Sequence, residues 1–175
     1  TTTEIDDAFS VAQLPNGNWR IGVHIAVPAL GIPPGSEVDA IAATRLSTVY
    51  MPGDKITMLP ENVVQAFTLC ADKVCPALSL YMEVDAATLA VLGTESILER
   101  LHISANLRHD TLEPLFNETT LRDCKLDYPY ASELTLLWNL AQKLEAARGK
   151  SADNSTQQID YNFYVENDVV TITNR

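Results

Sequence analysis

Apolar and polar positions alternate in two early stretches of the chain. Phe9 and Val11 alternate with Ser10 and Ala12; beyond Pro15-Asn16-Gly17-Asn18, residues Trp19, Ile21, Val23 and Ile25 alternate with Arg20, Gly22 and His24. Period-two alternation on both sides of a turn rich in positive-φ formers predicts a β-hairpin. Val27 to Gly35 carries three prolines and two glycines and reads as a loop. A helix is expected over 36–46, with Ser36 as its cap, Asp39 three residues on, and Val38, Ile41, Ala42 and Leu46 at helical spacing. A short strand over Thr48 to Met51 ends at Pro52-Gly53-Asp54, and Pro60 opens a second helix over 60–67 carrying Val63, Val64 and Phe67. Leu78, Leu80, Met82 and Val84 then alternate with Ser79, Tyr81 and Glu83, which predicts a half-buried strand. A strand near Ile97 to Ile103 is expected to pair with it. The longest helix is predicted over 132–147, where Leu134, Leu137, Trp138, Ala141 and Leu144 keep one face and Gly149 supplies the stop. After a polar stretch over 150–158, Tyr161, Phe163 and Val165, a turn at Asn167-Asp168, and Val170 and Ile172 predict a terminal hairpin.

Strands and helices thus mix without βαβ alternation, so the expected class is α+β: a mixed, largely antiparallel sheet with helices packed on it. At 175 residues and 46% apolar content the chain suits one domain with a real core. The charge changes the picture. Twelve Lys and Arg against 23 Asp and Glu give −11. Such a balance opposes a basic phosphate-tracking surface and favours a cation ligand or an acidic solvated face. No membrane span and no leader are expected from the pattern. Cys70, Cys75 and Cys124, odd in number and without a CxxC pair, fit reduced, buried thiols in a cytoplasmic protein.

The densest candidate chemistry lies at the start, in Glu4-Ile5-Asp6-Asp7. In an extended segment Glu4 and Asp6 share a face and Asp7 sits beside them. Carboxylates this close repel unless they share a cation, and such hard oxygen donors suit Mg²⁺ or Mn²⁺. The alternative is a solvated acidic segment.

Further along, Ala8-Phe9-Ser10-Val11, Gly22-Val23-His24-Ile25-Ala26, Pro34-Gly35-Ser36 with Asp39, Arg45 to Gly53, and Met58-Leu59-Pro60-Glu61 follow the acids in order. This series resembles the catalytic RNB domain of the ribonuclease II and ribonuclease R family of 3′→5′ exoribonucleases, as the N-terminal part of that domain. A fainter match runs through Pro76 to Ser79, Ile103 to Arg108 and the helix ending near Arg148-Gly149. The resemblance implies metal-dependent hydrolysis of single-stranded RNA from its 3′ end to nucleoside 5′-monophosphates. Of the family's four acids, the last two fall on Asp6 and Asp7 and the second on Glu4, one methylene longer than the usual Asp. The first would lie six positions before Glu4, so residues 1–175 are expected to be a partial domain cut from a longer chain. The resemblance further implies that Asp7 helps to hold a tightly bound Mg²⁺ (or Mn²⁺). Asp6 and Glu4 would serve a second ion or the attacking water, and Tyr50 would stack on a base at the RNA 3′ end. Where many members read Ile-Ala-Asp this chain reads Ile25-Ala26-Val27, one carboxylate fewer. The isolated fragment is expected to have little activity, and the rival reading is a catalytically silent RNA-binding or regulatory fragment. A small acidic scaffold is the third.

Other residues carry weaker signals. His24 stands on the polar face of its strand near the acids, where it touches substrate or, more in keeping with a lone histidine, is structural or solvent-facing. Arg100 and Arg108, near His102 and His109, are candidates for phosphate contact or for a solvated strand face. Tyr50 alternatively reads as a half-buried strand tyrosine, and Trp19 and Trp138 as core. The oligomeric state is open on sequence.

Overall fold

The computed structural model describes residues 4–52, 54–148, 161–166 and 169–174. Gly53 of the expected turn, the Gly149 stop, the polar stretch 150–158 and the Asn167-Asp168 turn lie outside the described residues. Four antiparallel strands form the main sheet in the order β1-β2-β5-β6: β1 (Asp7–Gln13), β2 (Trp19–Ala26), β5 (Val74–Val84) and β6 (Val91–His102). The β1–β2 hairpin turns where the sequence places it, with Gly17 at φ +88° and the Leu14 N–H donating to the Asn18 carbonyl at 2.8 Å. Proline-rich 27–35 contains a 3-10 turn, Pro28–Gly31, before α1 (Glu37–Arg45). Ser36 caps α1 by accepting from the Asp39 N–H, while the Asp39 carboxylate accepts from the Gly35 N–H at 2.8 Å, one residue earlier than the capping box expected. The 48–51 strand is β3 (Val49–Met51), and it pairs with a strand the sequence did not announce, β4 (Asp54–Ile56), in a hairpin of its own. Next comes α2 (Glu61–Phe67), with Pro60 as cap rather than first helical residue.

Two short helices, α3 (His109–Leu112) and α4 (Glu118–Arg122), were not expected. They lack an apolar repeat, and α4 owes its start to a capping box in which the Asn117 side chain accepts from the Thr120 N–H and the Thr120 hydroxyl oxygen accepts from the Asn117 N–H. The long helix is α5 (Ala131–Ala147). The terminal hairpin, β7 (Tyr161–Glu166) and β8 (Val169–Asn174), forms a separate two-stranded sheet. All strand pairings among the described residues are antiparallel.

The core has two parts. On one face of the sheet Ile21 and Val84 pack with Leu140 of α5, flanked by Trp19, Met82, Leu136, Leu137 and Leu144. On the other, Leu69, Cys75, Ala77 and Ile103 pack with Ile5, Ala8 and Ala26. Over Ala77 to Tyr81 the alternation in β5 therefore buries the opposite set from the one its hydropathy suggests, whereas Val84 is buried as that hydropathy predicts. Ala77, Ser79 and Tyr81 are buried, whereas Leu78 and Leu80 stand 48% and 41% exposed. The reason is coverage: α5 reaches only the Ile21 end of the apolar face, and the low side chains of Ala8, Gly22, Ala77 and Ser79 let their neighbours close over the other. Ile41 and Leu46 are likewise exposed, so only Ala42 of the α1 stripe is buried. All three cysteines are free thiols; Cys75 is buried as expected, but Cys124 is exposed in the irregular segment after α4.

Candidate active site

The acids sit where the chain enters the sheet. Ile5 is held by its neighbours: its N–H donates to Thr68 Oγ1 at 2.8 Å and its carbonyl accepts from the Leu69 N–H at 2.9 Å. The Asp6 carbonyl accepts from the Ala26 N–H at 2.8 Å, and Asp7 begins β1 opposite Ile25. Backbone bonds on two sides thus fix the acidic segment, while Ile5 points into the core between the acids.

The three carboxylates do not share one environment. Asp6 and Asp7 are exposed. The Glu4 side chain is only 8% exposed; its Oε1 accepts from Lys55 Nζ at 2.7 Å and its Oε2 from the Tyr50 hydroxyl at 3.4 Å. Tyr50 and Lys55 are cross-strand partners in the β3–β4 hairpin, so both emerge on one face and reach the same carboxylate. Tyr50 itself is 67% exposed, not the half-buried strand tyrosine of the alternative reading, and its ring is open to a ligand. Partial burial and the negative charges of Glu4 and Asp7 push the Asp6 carboxyl up from its ordinary range, with Lys55 opposing them. The bond to Glu4 in turn holds the Lys55 ammonium above its ordinary value.

Lys55 is the site residue that sequence reasoning missed. Its only signal was position: three residues beyond the Pro52 turn, it is placed opposite Tyr50 once the hairpin register is known.

Glu4 and Asp6 border a small cavity of about 210 Å³, closed on its far side by Val64 and Phe67 of α2. All three acids also line a larger cleft of about 910 Å³, whose opposite wall includes Arg108, Tyr130 and Leu134. Arg100 lies on β6 and is not among the residues of either space.

His24 is structural. It is fully buried, with Nδ1 at 2.7 Å from Ser79 Oγ, Nε2 at 2.8 Å from Ser10 Oγ and its ring edge-on to Tyr81. Glu99 accepts from Ser79 and, at 2.8 Å, from the Tyr81 hydroxyl, bonds that hold its carboxyl below the ordinary range. The neutral imidazole thus bridges the two hydroxyls, one ring nitrogen donating and the other accepting. This bridge ties β1, β2 and β5 together behind the acids, and burial keeps the imidazole below its ordinary pKa.

The donor set fits a hard divalent cation in kind: exposed Asp oxygens, and a charge crowding around Asp6 that a cation would relieve. Among the described residues no group of three His, Cys, Asp or Glu side chains converges as a ready metal cage; Glu4 is engaged with Lys55 and Tyr50 instead. No helix among the described residues is long and apolar enough to cross a membrane.

Comparison with known proteins adds four findings. The model of the RNB domain family matches residues 1–175. Exoribonuclease 2 of Vibrio cholerae is 39% identical over 79 residues, 45% of this chain and 12% of that protein, so the chain spans only a small part of such relatives. Among solved structures, RNase R of Mycoplasma genitalium in complex with ribose methylated single-stranded RNA superposes with a TM-score of 0.80 at 19% identity, over 100% of this chain and 27% of that one. Yeast Ssd1, described as a pseudonuclease, superposes with a TM-score of 0.73 at 23% identity, over 87% of this chain and 18% of that one. At those identities the superpositions speak for the fold alone, and they agree with the mixed helices and antiparallel sheets seen here.

Proposed function

The chain belongs to the RNB family, and from that premise we propose that it is part of a hydrolytic 3′→5′ exoribonuclease that degrades single-stranded RNA to nucleoside 5′-monophosphates. The observation that carries the reading is one cleft lined by Glu4, Asp6 and Asp7, with the exposed Tyr50 linked to it through the contact of its hydroxyl with Glu4 at 3.4 Å. Tyr50 would stack on the terminal base, a sequence-indifferent contact. Stacking would set the terminal phosphodiester beside the acids. Asp6, whose carboxyl is raised by partial burial and by Glu4 and Asp7, would accept the proton of the attacking water, assisted by Glu4. Bond cleavage between phosphorus and the 3′-oxygen of the preceding nucleotide would then release the 5′-monophosphate.

Asp7 and Asp6, with Glu4 when it is released, are the residues that would hold Mg²⁺ or Mn²⁺. Such an ion supplies charge neutralisation on the phosphoryl oxygens and a lowered pKa for bound water. The RNA phosphates would approach over the cleft wall bearing Arg108. The free thiols Cys70, Cys75 and Cys124 support a reducing, cytoplasmic setting.

The test is mononucleotide release from a 3′-labelled poly(A) by the full-length protein that contains this chain, with Mg²⁺ or Mn²⁺. Release that Asp6→Asn abolishes supports the reading; no release, or release undiminished by Asp6→Asn, overturns it. One observation favours the second reading, a catalytically silent RNA-binding fragment: both Glu4 oxygens are already engaged within the protein. RNA retained on the protein without mononucleotide release would select it.

A further inference from the structure

Resting on the metal-site reading above, the contacts of Glu4 carry a further step. Lys55 Nζ and the Tyr50 hydroxyl take one Glu4 oxygen each, at 2.7 and 3.4 Å. The carboxylate is the better shielded member of the pair, 8% exposed against 30% for the more accessible Lys55. Both donors come from one small hairpin, in which Tyr50 and Lys55 are direct cross-strand partners. Asp6 and Asp7, by contrast, have no salt bridge among the described residues.

We propose that Lys55 is a built-in counter-cation that competes with a divalent ion for Glu4, so that a cation recruiting Glu4 displaces Lys55 and frees the Tyr50 hydroxyl with it. An ammonium and a divalent ion cannot share one carboxylate at contact distance without strong repulsion. The hairpin therefore couples the two halves of the site: when Lys55 holds Glu4, the Tyr50 hydroxyl is tethered to the acid, and when a cation holds Glu4, that hydroxyl is released while the ring stays exposed. Lys55 is in this sense a specificity-determining residue for metal loading. It sets the cation concentration at which Glu4 joins Asp6 and Asp7.

The experiment is Mn²⁺ binding to the full chain, read from the electron paramagnetic resonance signal of free Mn²⁺. It compares wild type, Lys55→Met, Lys55→Arg, Glu4→Gln, the Lys55→Met/Glu4→Gln double variant and Asp6→Asn/Asp7→Asn, with urea unfolding to check each fold. Removing a charge-assisted hydrogen bond that opposes binding is expected to tighten the Mn²⁺ dissociation constant about tenfold in Lys55→Met. Lys55→Arg, which keeps the charge, stays within about twofold of wild type. In the Glu4→Gln background the gain from Lys55→Met shrinks to about twofold or less, because the contested carboxylate is gone and only the weaker field of Lys55 on Asp6 remains. An unchanged dissociation constant in Lys55→Met overturns the proposal, as does an equal gain in the Glu4→Gln background, which marks a general charge effect. If wild type binds no Mn²⁺, or binding survives Asp6→Asn/Asp7→Asn, the metal-site reading fails and the proposal falls with it. If that double variant abolishes binding while Lys55→Met does not tighten it, the proposal alone has failed.

Discussion

Gly22→Ala tests the bridge behind the site at its tightest point. A methyl group built on Gly22 would stand 2.5 Å from Ser10 Oγ and 2.6 Å from both Cε1 and Nε2 of His24, distances that real carbon atoms do not tolerate. Gly22 has no positive φ, so the strand backbone accepts alanine, and that gain alone is about 0.5–1 kcal/mol. Against it, Ser10 must swing off His24, leaving a ring nitrogen of a fully buried imidazole without a partner at a cost of about 1–3 kcal/mol. Crowding in a packed layer adds about 1 kcal/mol or more. The net expectation is a loss of about 1–3 kcal/mol, seen as a lower urea midpoint at unchanged slope and a Tm lower by about 2–4 °C per kcal/mol for a chain of this size. Ser10→Ala/Gly22→Ala should lose less than the two single variants added together, since the hydroxyl the methyl strikes is no longer there. A Gly22→Ala protein as stable as wild type, or more so, would refute the reasoning: only the intrinsic strand preference would then remain, and the Ser10–His24 bond would not close over this glycine.

Three further outcomes are expected. Asp6→Asn should lower mononucleotide release roughly a hundredfold or more while leaving the urea midpoint equal or higher, because the ionised Asp6 carboxyl is disfavoured in the fold by burial and by Glu4 and Asp7. Burial keeps His24 neutral below its ordinary value of 6.5, so the unfolded chain takes up that proton first; the stability contribution is complete above pH 6.5 and declines as pH falls below it. Urea unfolding at pH 7.5 and 5.5 should show a smaller decline for His24→Asn than for wild type. Tyr50→Ala removes a ring that is 67% exposed, so its stability should stay within about 0.5 kcal/mol of wild type. Its RNA affinity in gel shift should nonetheless drop by about 1–3 kcal/mol, roughly five- to a hundredfold.

Much of the fold was legible because it rests on local signals. The Pro15 to Asn18 turn, the Ser36 cap and the repeat in α5 each act within a few residues, and each lies where the pattern put it. Burial was less legible, because the face of a strand that water reaches depends on what packs there from elsewhere in the chain. β5 shows the difference. Its leucines mark an apolar face, but α5 covers only one end of that face, and Leu78 and Leu80 stay open while Ser79 is enclosed. His24 follows from the same cause: alternation assigns it to a polar face, and only the pairing of β1, β2 and β5 places Ser10 and Ser79 at its two nitrogens.

For the site, the motif order made the acids and Tyr50 stand out, yet it said nothing of how they meet. Glu4 and Tyr50 are 46 residues apart and touch only through the β3–β4 hairpin. That hairpin is also what introduces Lys55, and with it a positive charge inside a chain whose balance of −11 argued for cations supplied from outside. The two statements are reconciled by position. Net charge describes the whole surface, where acids outnumber bases almost two to one, whereas the electrostatics of a site are set by whichever group lies within a few ångströms. At Glu4 that group is Lys55 at 2.7 Å; at Asp6, partial burial and then a pair of carboxylates raise the carboxyl. Neighbouring acids in one short motif are thus chemically unlike, one compensated from within and two exposed. It follows that cation titration of this cluster should be read residue by residue rather than as a single acidic patch.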